Sequence, residues 1–448
     1  MFVFILGREF RLSLAEIYSL FPTAVFEATN EQIALITDVS EAEVCARFAH
    51  MGGIIKVIKI LDEVKDVPDF MTVAKEYLSR VDRTNKVPFA VAGYGEKFDN
   101  FATGLRIKKF LKPCEDKSFR LVNKEPKNIN SAVYKKEHLA ESNTEMNYVK
   151  IGKTSYIGIT IAYQDVDAYA ARDMDKTRDM GVGMLPPKLA QTMVNLAGLV
   201  ESCDIHAQNS ASSLPVLSRT DRSDAHSSQE SHRAWSQSST ENEKRGAIYD
   251  PFCWLGTVLI EAAHMGYDTV YGSDVSPAMV TAANKSMGEF AVKNDIDLDG
   301  LIFEADASKI AATIPEAMNI NTTSIVSEGY LWDVMGAKTI TPDKILEQCR
   351  KLARIYDGMF RDLRTIGFRG TVVICFPFWD NRGKDVFFED IFAIIDRYGF
   401  ERKELLGEHI PFRTTEHGSL LYRRPGQTVG REIYKLQLLP KEKLGLKF

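Results

Sequence analysis

The stretch AIYDPFCWLGT, residues 247–257, contains the pattern that decides the fold. Its first three residues are apolar and predict a buried strand, which ends at the carboxylate of Asp250 and breaks into a tight turn. Gly256 lies in that turn, and a second apolar segment that predicts a helix begins at Thr257. Because ligands of open α/β sheets bind beyond the carboxyl ends of the strands, this pattern predicts a ligand site at Asp250.

The chain after this turn keeps the same alternation of strand and helix. Helices are predicted over 257–265, 277–292 and 343–366, and strands over 246–250, 269–274, 301–305, 323–327 and 370–376. Such a βαβ rhythm is typical of a doubly wound, mostly parallel sheet. Two last strands, over 413–422 and 432–438, are predicted to form an antiparallel hairpin at the edge of this sheet.

Carboxylates follow three successive strands of the predicted sheet. Asp250 can receive the ammonium group of an amino-acid ligand, Asp274 can hold a ribose diol, and Asp306 can bind an adenine amino group. Three carboxylates would repel a phosphate-rich cofactor, so they favour the cation S-adenosyl-L-methionine (SAM) over NAD. No Gly-x-Gly-x-x-Gly motif follows the first strand, which argues against a Rossmann dehydrogenase.

The fourth strand of this half ends in Ser327, Glu328, Gly329 and Tyr330. An acidic residue, a backbone carbonyl and an aromatic ring can together hold a planar base, because the ring stacks on the base while the acceptors bind its exocyclic amine. An ordinary surface turn would have the same composition, so the segment alone leaves both interpretations open.

The sequence of the front half predicts two small α+β units, a ferredoxin-like unit over residues 1–70 and a second unit over 71–170. In the second unit, strands are predicted over 87–94, around Arg120, around Ala132 and over 155–162. The net charge of the chain is -5, yet residues 106–136 contain ten Lys and Arg against three acids. Such a patch can neutralise RNA phosphates, although a solvated charged face is the alternative. The residues predicted to bind RNA are Lys108, Lys109, Lys112, Arg120, Lys135 and Lys136.

Residues 201–245 interrupt the pattern with a segment rich in Ser, Gln, Asn and His and poor in aliphatic residues, which predicts a disordered insertion. The histidines and cysteine in and beside it lack the spacing of an ordered ligand set, so no metal is predicted. Six scattered cysteines and no apolar run of about 20 residues predict a cytoplasmic protein without a membrane segment.

Four segments resemble motifs of the THUMP-containing tRNA guanine-N2-methyltransferases. They are residues 178–191 (RDMGVGMLPPKLAQ), the turn over 250–257, residues 423–432 (RRPGQTVGRE) and residues 149–165 at the end of the THUMP-like unit. The resemblance covers nearly the whole chain apart from the insertion. It implies a THUMP-like RNA-binding domain over 71–170 and a Rossmann-like class I SAM-dependent methyltransferase domain over 171–448, with tRNA as the partner.

The resemblance also implies the roles of individual residues. Glu328, Gly329 and Tyr330 would orient a guanine for attack by its N2 on the SAM methyl group, without a metal or a covalent intermediate. The SAM pocket would be lined by Asp250, Phe252, Cys253, Gly256, Asp274 and Asp306. The sequence does not indicate whether a protein partner is needed.

Three positions depart from the family pattern: Trp254 and Trp332 replace glycines, and Gly329 replaces a proline. A tryptophan in a glycine turn brings a large ring, and a backbone conformation that favours glycine, to the cofactor site. We hypothesise that both tryptophans are translations of a UGA codon that the source organism reads as glycine. Two other functions stay open, a DNA or rRNA amino-methyltransferase and a catalytically inactive RNA-binding homologue.

Overall fold

The computed structural model describes residues 1–82, 86–112, 117–174, 185–198, 246–331 and 340–440. The predicted disordered insertion, its histidines and cysteine, Trp332 and the first half of the 178–191 motif (residues 178–184) lie outside these ranges. The strands of the front half are β1 Phe2–Leu6, β2 Val25–Thr29, β3 Ile33–Thr37, β4 Ile54–Val64, β5 Val87–Tyr94, β6 Phe119–Leu121, β7 Glu145–Ile151 and β8 Thr154–Tyr163. Its helices are α1 Phe10–Leu20, α2 Glu41–Phe48, α3 Val67–Arg80, α4 Asn100–Leu111, α5 Ser131–Lys136, α6 Val166–Met174 and α7 Pro187–Ala197.

The front strands described here form one sheet in the order β2-β3-β1-β4-β8-β7-β5-β6. Strand β4 pairs with β1 on one side and with β8 on the other, so the sheet runs without a break through the two predicted units. The division of the front half near residue 70 therefore stays a prediction. A strand predicted around Ala132 is wrong: the side chain of Asn130 accepts a hydrogen bond from Val133 N at 2.9 Å and begins helix α5 there.

The back half alternates strand and helix as predicted. Its strands are β9 Ala247–Asp250, β10 Thr269–Asp274, β11 Asp299–Glu304, β12 Thr323–Ser327, β13 Val372–Asn381, β14 Lys384–Phe387, β15 Phe400–Arg402, β16 Leu420–Tyr422 and β17 Val429–Leu438. Its helices are α8 Thr257–His264, α9 Pro277–Asn294, α10 Ile310–Thr313, α11 Pro342–Ile366 and α12 Asp390–Arg397.

The main sheet of the back half has the order β11-β10-β9-β12-β13-β17-β15. Strands β9 to β13 are parallel to one another, and β17 is antiparallel to β13. Helix α8 packs on one face through one apolar cluster, and α11 packs on the other face through a second. This doubly wound arrangement confirms the predicted α/β, Rossmann-like fold class.

The last two strands form an antiparallel hairpin as predicted, but only its outer strand, β16, lies at an edge of the sheet. Strand β17 lies between β13 and β15 and also pairs with β16. Buried residues such as Ile433 and Tyr434 alternate toward its two faces, which requires cover on both sides. Its position inside the sheet brings Arg431 next to the ends of the parallel strands.

The two halves share one apolar core, which extends from helix α1 through α7 to α8. A buried carboxylate lies at this junction: Glu16 on α1 accepts hydrogen bonds from Gly52 N, Gly53 N and Asn195 Nδ2, each at 2.8 Å. Burial raises the pKa of Glu16 to about 7, although these hydrogen bonds lower it. The junction fixes the front half against the sheet of the back half.

Candidate functional site

The order of strands in the back half reverses between β9 and β12, because β10 lies on the far side of β9 and β13 on the far side of β12. In open α/β sheets the crevice at such a switch point is the usual ligand site. Asp250 ends β9, and Ser327 ends β12. The structure therefore brings the predicted cofactor and base-binding segments together at this point.

Asp250 is buried at the switch point, with 2% of its surface exposed. Its Oδ1 accepts a hydrogen bond from Phe252 N at 3.0 Å and another from the Ser327 hydroxyl at 2.6 Å. Burial raises the pKa of Asp250 to about 7; the two hydrogen bonds lower it, while the nearby charges of Glu328 and Asp274 raise it further. A cationic ligand would stabilise the charged form of this carboxylate.

The turn after Asp250 is tied to the neighbouring strand β10. Cys253 N donates to Ser273 O at 2.9 Å, and Gly256 N donates to Cys253 O at 2.7 Å. Gly256 has a φ of 79°, which favours glycine, and it begins helix α8. Burial raises the pKa of the Cys253 thiol, which disfavours the reactive thiolate form.

Trp254 stands in the left-handed region of backbone conformation, with a φ of 45°. Among residues other than glycine this conformation is uncommon, and for a bulky residue it is strained. Its backbone N donates to Asp274 Oδ2 at 3.2 Å. The sequence suggested such a conformation from the glycine of the family motif, and the structure places the tryptophan backbone in it.

The other two strand-end carboxylates differ in their surroundings. Asp274 also accepts from Ser276 N at 2.9 Å, and burial raises its pKa. Burial also acts to raise the pKa of Asp306, but hydrogen bonds from Ser308 and the charge of Lys309 outweigh it, so this pKa lies below its usual value. Asp306 is thus the most readily ionised of the three.

Glu328 is held by an arginine that the sequence interpretation did not assign to the site. Nε and Nη2 of Arg431 both lie 2.5 Å from Glu328 Oε1, and the two side chains are 3% and 15% exposed. Burial raises the pKa of Glu328, while Arg431 lowers it. The second oxygen, Oε2, is not used by these contacts, so it can accept a hydrogen bond from a ligand.

The turn after Glu328 requires a glycine. Gly329 has a φ of 68°, and a Cβ atom there would lie 2.6 Å from both the Cys375 carbonyl oxygen and the Tyr356 hydroxyl. Gly329 N donates to Ser327 Oγ and Tyr330 N donates to Tyr356 Oη, each at 3.0 Å. Gly329, which replaces the proline of the family motif, therefore forms a turn that proline could not adopt, and the Tyr356 hydroxyl stabilises this turn.

Tyr330 presents an aromatic side chain beside Glu328, with 39% of its surface exposed. The sequence predicts roles for Glu328, Gly329 and Tyr330 in this site, but none for Ser327, Tyr356 or Arg431. Arg431 lies in the 423–432 motif, which was a usable signal. Tyr356 lies in the middle of helix α11 and carries no sequence signal of its role.

The six basic residues predicted to bind RNA lie on the front half. Lys108 and Lys109 are on the last turn of α4, followed by Lys112, and the exposed Phe110 lies between them. Arg120 forms an ion pair with Glu137, and Lys135 forms one with Asp165 at 2.8 Å. Lys136 is exposed. The patch therefore keeps four of its six charges outside ion pairs with described residues.

Two cavities lie away from the switch point. One of about 490 Å³ lies between the β2–β3 turn and the end of β5, and another of about 350 Å³ lies between α6, α8 and α9. Neither is lined by a predicted site residue. Within the described ranges, no group of three or more His, Cys, Asp or Glu could hold a metal, and no helix is long and apolar enough to cross a membrane.

No protein-family model matches the chain, and no curated protein matches its sequence. Solved structures with a similar fold include TrmN from Thermus thermophilus (14% identity, 98% of this chain and 99% of that chain, TM-score 0.46). A predicted N6-adenine-specific DNA methylase from Listeria monocytogenes has 9% identity, coverage of 97% and 95%, and a TM-score of 0.40. TYW2 from M. jannaschii in complex with AdoMet has 13% identity, coverage of 47% and 76%, and a TM-score of 0.26. At such low identity and TM-score, a function has to be argued from the site itself.

Proposed function

We propose that this chain is a SAM-dependent methyltransferase that transfers a methyl group to the exocyclic N2 of a guanosine in tRNA. The observation that carries the proposal is the coupling of two segments at the switch point. Ser327 Oγ donates to Asp250 at 2.6 Å and accepts from Gly329 N at 3.0 Å. One hydroxyl thus joins the proposed cofactor carboxylate to the turn that would hold the base.

The residues at the strand ends fit SAM by their chemistry. Asp250 would accept hydrogen bonds from the ammonium group of the methionine moiety. Asp274 would accept hydrogen bonds from the ribose diol, and Asp306 would accept one from the adenine amine. The turn with Phe252, Cys253 and Gly256 would place backbone next to the cofactor. When bound, SAM supplies a methyl group on a positively charged sulfur, and buried carboxylates suit such a cation.

The remaining groups act on the base. Glu328 Oε2 would accept a hydrogen bond from the exocyclic amine, while Arg431 holds the carboxylate through Oε1. The exposed ring of Tyr330 would stack on the base. These contacts orient the nitrogen lone pair toward the methyl group and exclude water, so the catalysis that we propose is mainly positioning.

The basic residues of the front half would hold the body of the tRNA. Lys108, Lys109 and Lys112 with the exposed Phe110 give α4 a surface of positive charge and an aromatic ring, which suits a phosphate backbone and an unstacked base. Lys136 adds a charge, while Arg120 and Lys135 would have to exchange their carboxylate partners for phosphate.

A catalytically inactive RNA-binding homologue is the second candidate, and Trp254 favours it. The tryptophan occupies a conformation suited to glycine, and its backbone N binds Asp274, the carboxylate proposed for the ribose. A side chain of this size at the turn would oppose SAM binding while leaving the front half unaffected.

Calorimetric titration with SAM tests both candidates. The chain as written is compared with the Trp254→Gly, Trp332→Gly double variant. If only the double glycine form binds, the fold is that of a methyltransferase whose tryptophans block the site. Micromolar binding by the chain as written would show that the steric argument is wrong, and binding by neither form would refute the SAM assignment.

The substrate requires a separate assay. Labelled SAM is incubated with tRNA, rRNA and DNA, and the modified nucleoside is identified by mass spectrometry. N2-methylguanosine in tRNA is the expected product. A methylated adenine, or label only in rRNA or DNA, would replace the proposed substrate by the alternative amino-methyltransferase.

A further inference from the structure

An arginine of the front half lies beside the candidate site of the back half. Arg8 follows strand β1, and its guanidinium carbon is 5.7 Å from the centroid of the Tyr422 ring. The guanidinium carbon of Arg431 is 5.8 Å from the same centroid, and Arg431 binds Glu328. Arg8 and Arg431 therefore approach the same aromatic ring.

A second arginine reaches the same tyrosine from the turn after β16. Arg424 is exposed, and its Nε donates to the Tyr422 hydroxyl at 3.3 Å. Burial raises the pKa of Glu328, and the positive charges of Arg431 and then of Arg424 lower it. Arg424 thus bonds to the tyrosine that Arg431 also contacts.

Arg8 and Arg424 are more exposed than the neighbouring Arg423 and Arg431. Arg423 and Arg431 are each bound to a carboxylate, Asp385 and Glu328 respectively. Arg8 forms an ion pair with the adjacent Glu9 at 2.9 Å, but the side chains are 54% and 33% exposed. An exposed pair of this kind contributes little free energy and is easily exchanged for another anion.

We propose that Arg8 and Arg424, which contact the same Tyr422 side chain as Arg431, form a phosphodiester-binding clamp beside Glu328. The guanidinium fork matches the oxygens of a phosphate, and contact with an aromatic ring orients it. A base that enters the site must leave its stack, so the phosphate next to it lies at the mouth of the site. The ligand is a single-stranded RNA segment around the target nucleotide, and its being a methylation target rests on the proposed function.

The clamp takes one arginine from each half of the chain. Arg8 is held in place because Phe10 packs on Phe412, with ring centroids 4.8 Å apart, and because α1 and α7 share a core. The front half would therefore complete the site at the target nucleotide, in addition to any binding through its distant basic patch.

The test is the salt dependence of binding to a labelled single-stranded RNA oligonucleotide. The Arg8→Gln, Arg424→Gln double variant is compared with wild type and with a Lys285→Gln, Lys351→Gln control, which removes two exposed charges elsewhere. Loss of two phosphate contacts reduces the slope of log affinity against log salt by about 1.4, at ~0.7 per contact on a single strand. The control keeps the wild-type slope.

The Arg8→Lys, Arg424→Lys variant distinguishes binding from a structural role. It preserves both charges and most of the slope, whereas a role only in docking the two halves would change the free energy of unfolding without changing the slope. An unchanged slope in the glutamine variant, or no binding of the oligonucleotide by wild type, would overturn the clamp.

Transfer of labelled methyl groups in parallel separates this inference from the proposed function. RNA binding with an arginine-dependent slope but without methyl transfer would leave the clamp standing and refute the methyltransferase. Methyl transfer to RNA, with the same salt slope in wild type and in the glutamine variant, would support the methyltransferase and refute the clamp.

Discussion

Two buried ion pairs among the described residues, one in the front half and one in the back half, are built differently. In the front sheet Lys56 and Glu145 are both fully buried, with Lys56 Nζ 2.9 Å from Glu145 Oε2. In the back half Arg431 is 3% exposed and Glu328 is 15% exposed, at the open end of the parallel strands. Both pairs join strands that are distant in sequence.

The difference lies in what surrounds each carboxylate. Lys56 also donates to Asn147 Oδ1 at 3.0 Å and lies within about 5 Å of two tyrosine ring centroids, while Thr160 donates to Glu145. The ion pair of the front half is therefore surrounded by side chains of the protein. Glu328, like Glu145, is bound through one carboxylate oxygen, but it lies next to the exposed Tyr330 at the open end of the strands. A closed pair leaves no open face for a ligand, whereas a half-open pair can act on one.

The largest effect is expected in the closed pair. Lys56→Met leaves Glu145 buried without its cation and should lower the free energy of unfolding by ~3–5 kcal/mol, measured by urea denaturation. The Lys56→Met, Glu145→Leu double variant should recover most of the loss, because an apolar replacement removes the uncompensated charge. A loss below ~1 kcal/mol in the single variant would show that the pair is not closed.

Asp250→Asn should stabilise the protein at pH 8 and weaken SAM binding. The pKa of Asp250 is about 7 in the folded protein and 3.8 ordinarily, so the folded state keeps a proton that the unfolded state loses. Wild-type stability should therefore fall as pH rises from about 4 to about 7, by on the order of 4 kcal/mol. Asparagine keeps an oxygen that accepts the hydrogen bonds from Phe252 N and the Ser327 hydroxyl, and it has no carboxylate to ionise, so this pH-dependent loss of stability is absent.

Denaturation over a pH series checks the Asp250→Asn prediction. The free energy of unfolding should fall less steeply with rising pH in the variant than in wild type. The fall that remains in the variant is due to Glu16, whose pKa is also raised. Wild-type SAM affinity should increase as pH rises through about 7, because the charged carboxylate binds the cation. Equal slopes in the two proteins would contradict the proposed protonation of Asp250.

Glu328→Gln should lower kcat for methyl transfer about 100-fold, equivalent to ~2.7 kcal/mol, because the carboxylate acts on the base. The matched control is Glu145→Gln, the same chemical change in the closed pair. It should reduce the free energy of unfolding more than Glu328→Gln does and leave kcat unchanged. Equal losses of kcat in the two variants would remove the functional difference between the pairs.

The smallest effect is expected from Tyr356→Phe, which removes the hydroxyl that accepts from Tyr330 N at 3.0 Å. One lost hydrogen bond of about 1 kcal/mol should reduce kcat about fivefold and leave the KM for SAM unchanged. Tyr398→Phe, which removes a hydroxyl bonded to Asp357 at the surface of α11, is the control. A change in SAM affinity instead of kcat would place Tyr356 on the cofactor side.

The sequence predicts the back half well because its strands are continuous apolar runs between turn residues. Strands β10 and β12 have the predicted bounds, and Asp250, Asp274 and Glu328 lie at or just after strand ends as expected. These features are local, since period and turn chemistry are set within about ten residues. The position of β17 between β13 and β15 depends on distant segments of the chain, so the sequence predicted the antiparallel hairpin but not the pairing of β15 with it.

Contacts across long stretches of chain explain what else the sequence could not provide. Arg431 and Glu328 are 103 residues apart, and Tyr356 meets Tyr330 from the adjacent helix α11. Neither pairing leaves a periodic pattern, because each depends on how elements pack. Strand β7 was missed for a related reason: the polar Glu145 and Asn147 are buried there and obscure its apolar pattern.

The conformation of Gly329 limits how this site can change by mutation. At a φ of 68° proline is excluded, because its ring fixes φ near -65°. Any larger residue would also meet the Tyr356 hydroxyl, which holds the next backbone N. The two positions therefore constrain each other. A Gly329→Pro substitution alone would disrupt the turn while Tyr356 is present. Lineages carrying this pair would be expected to keep or to replace both residues together.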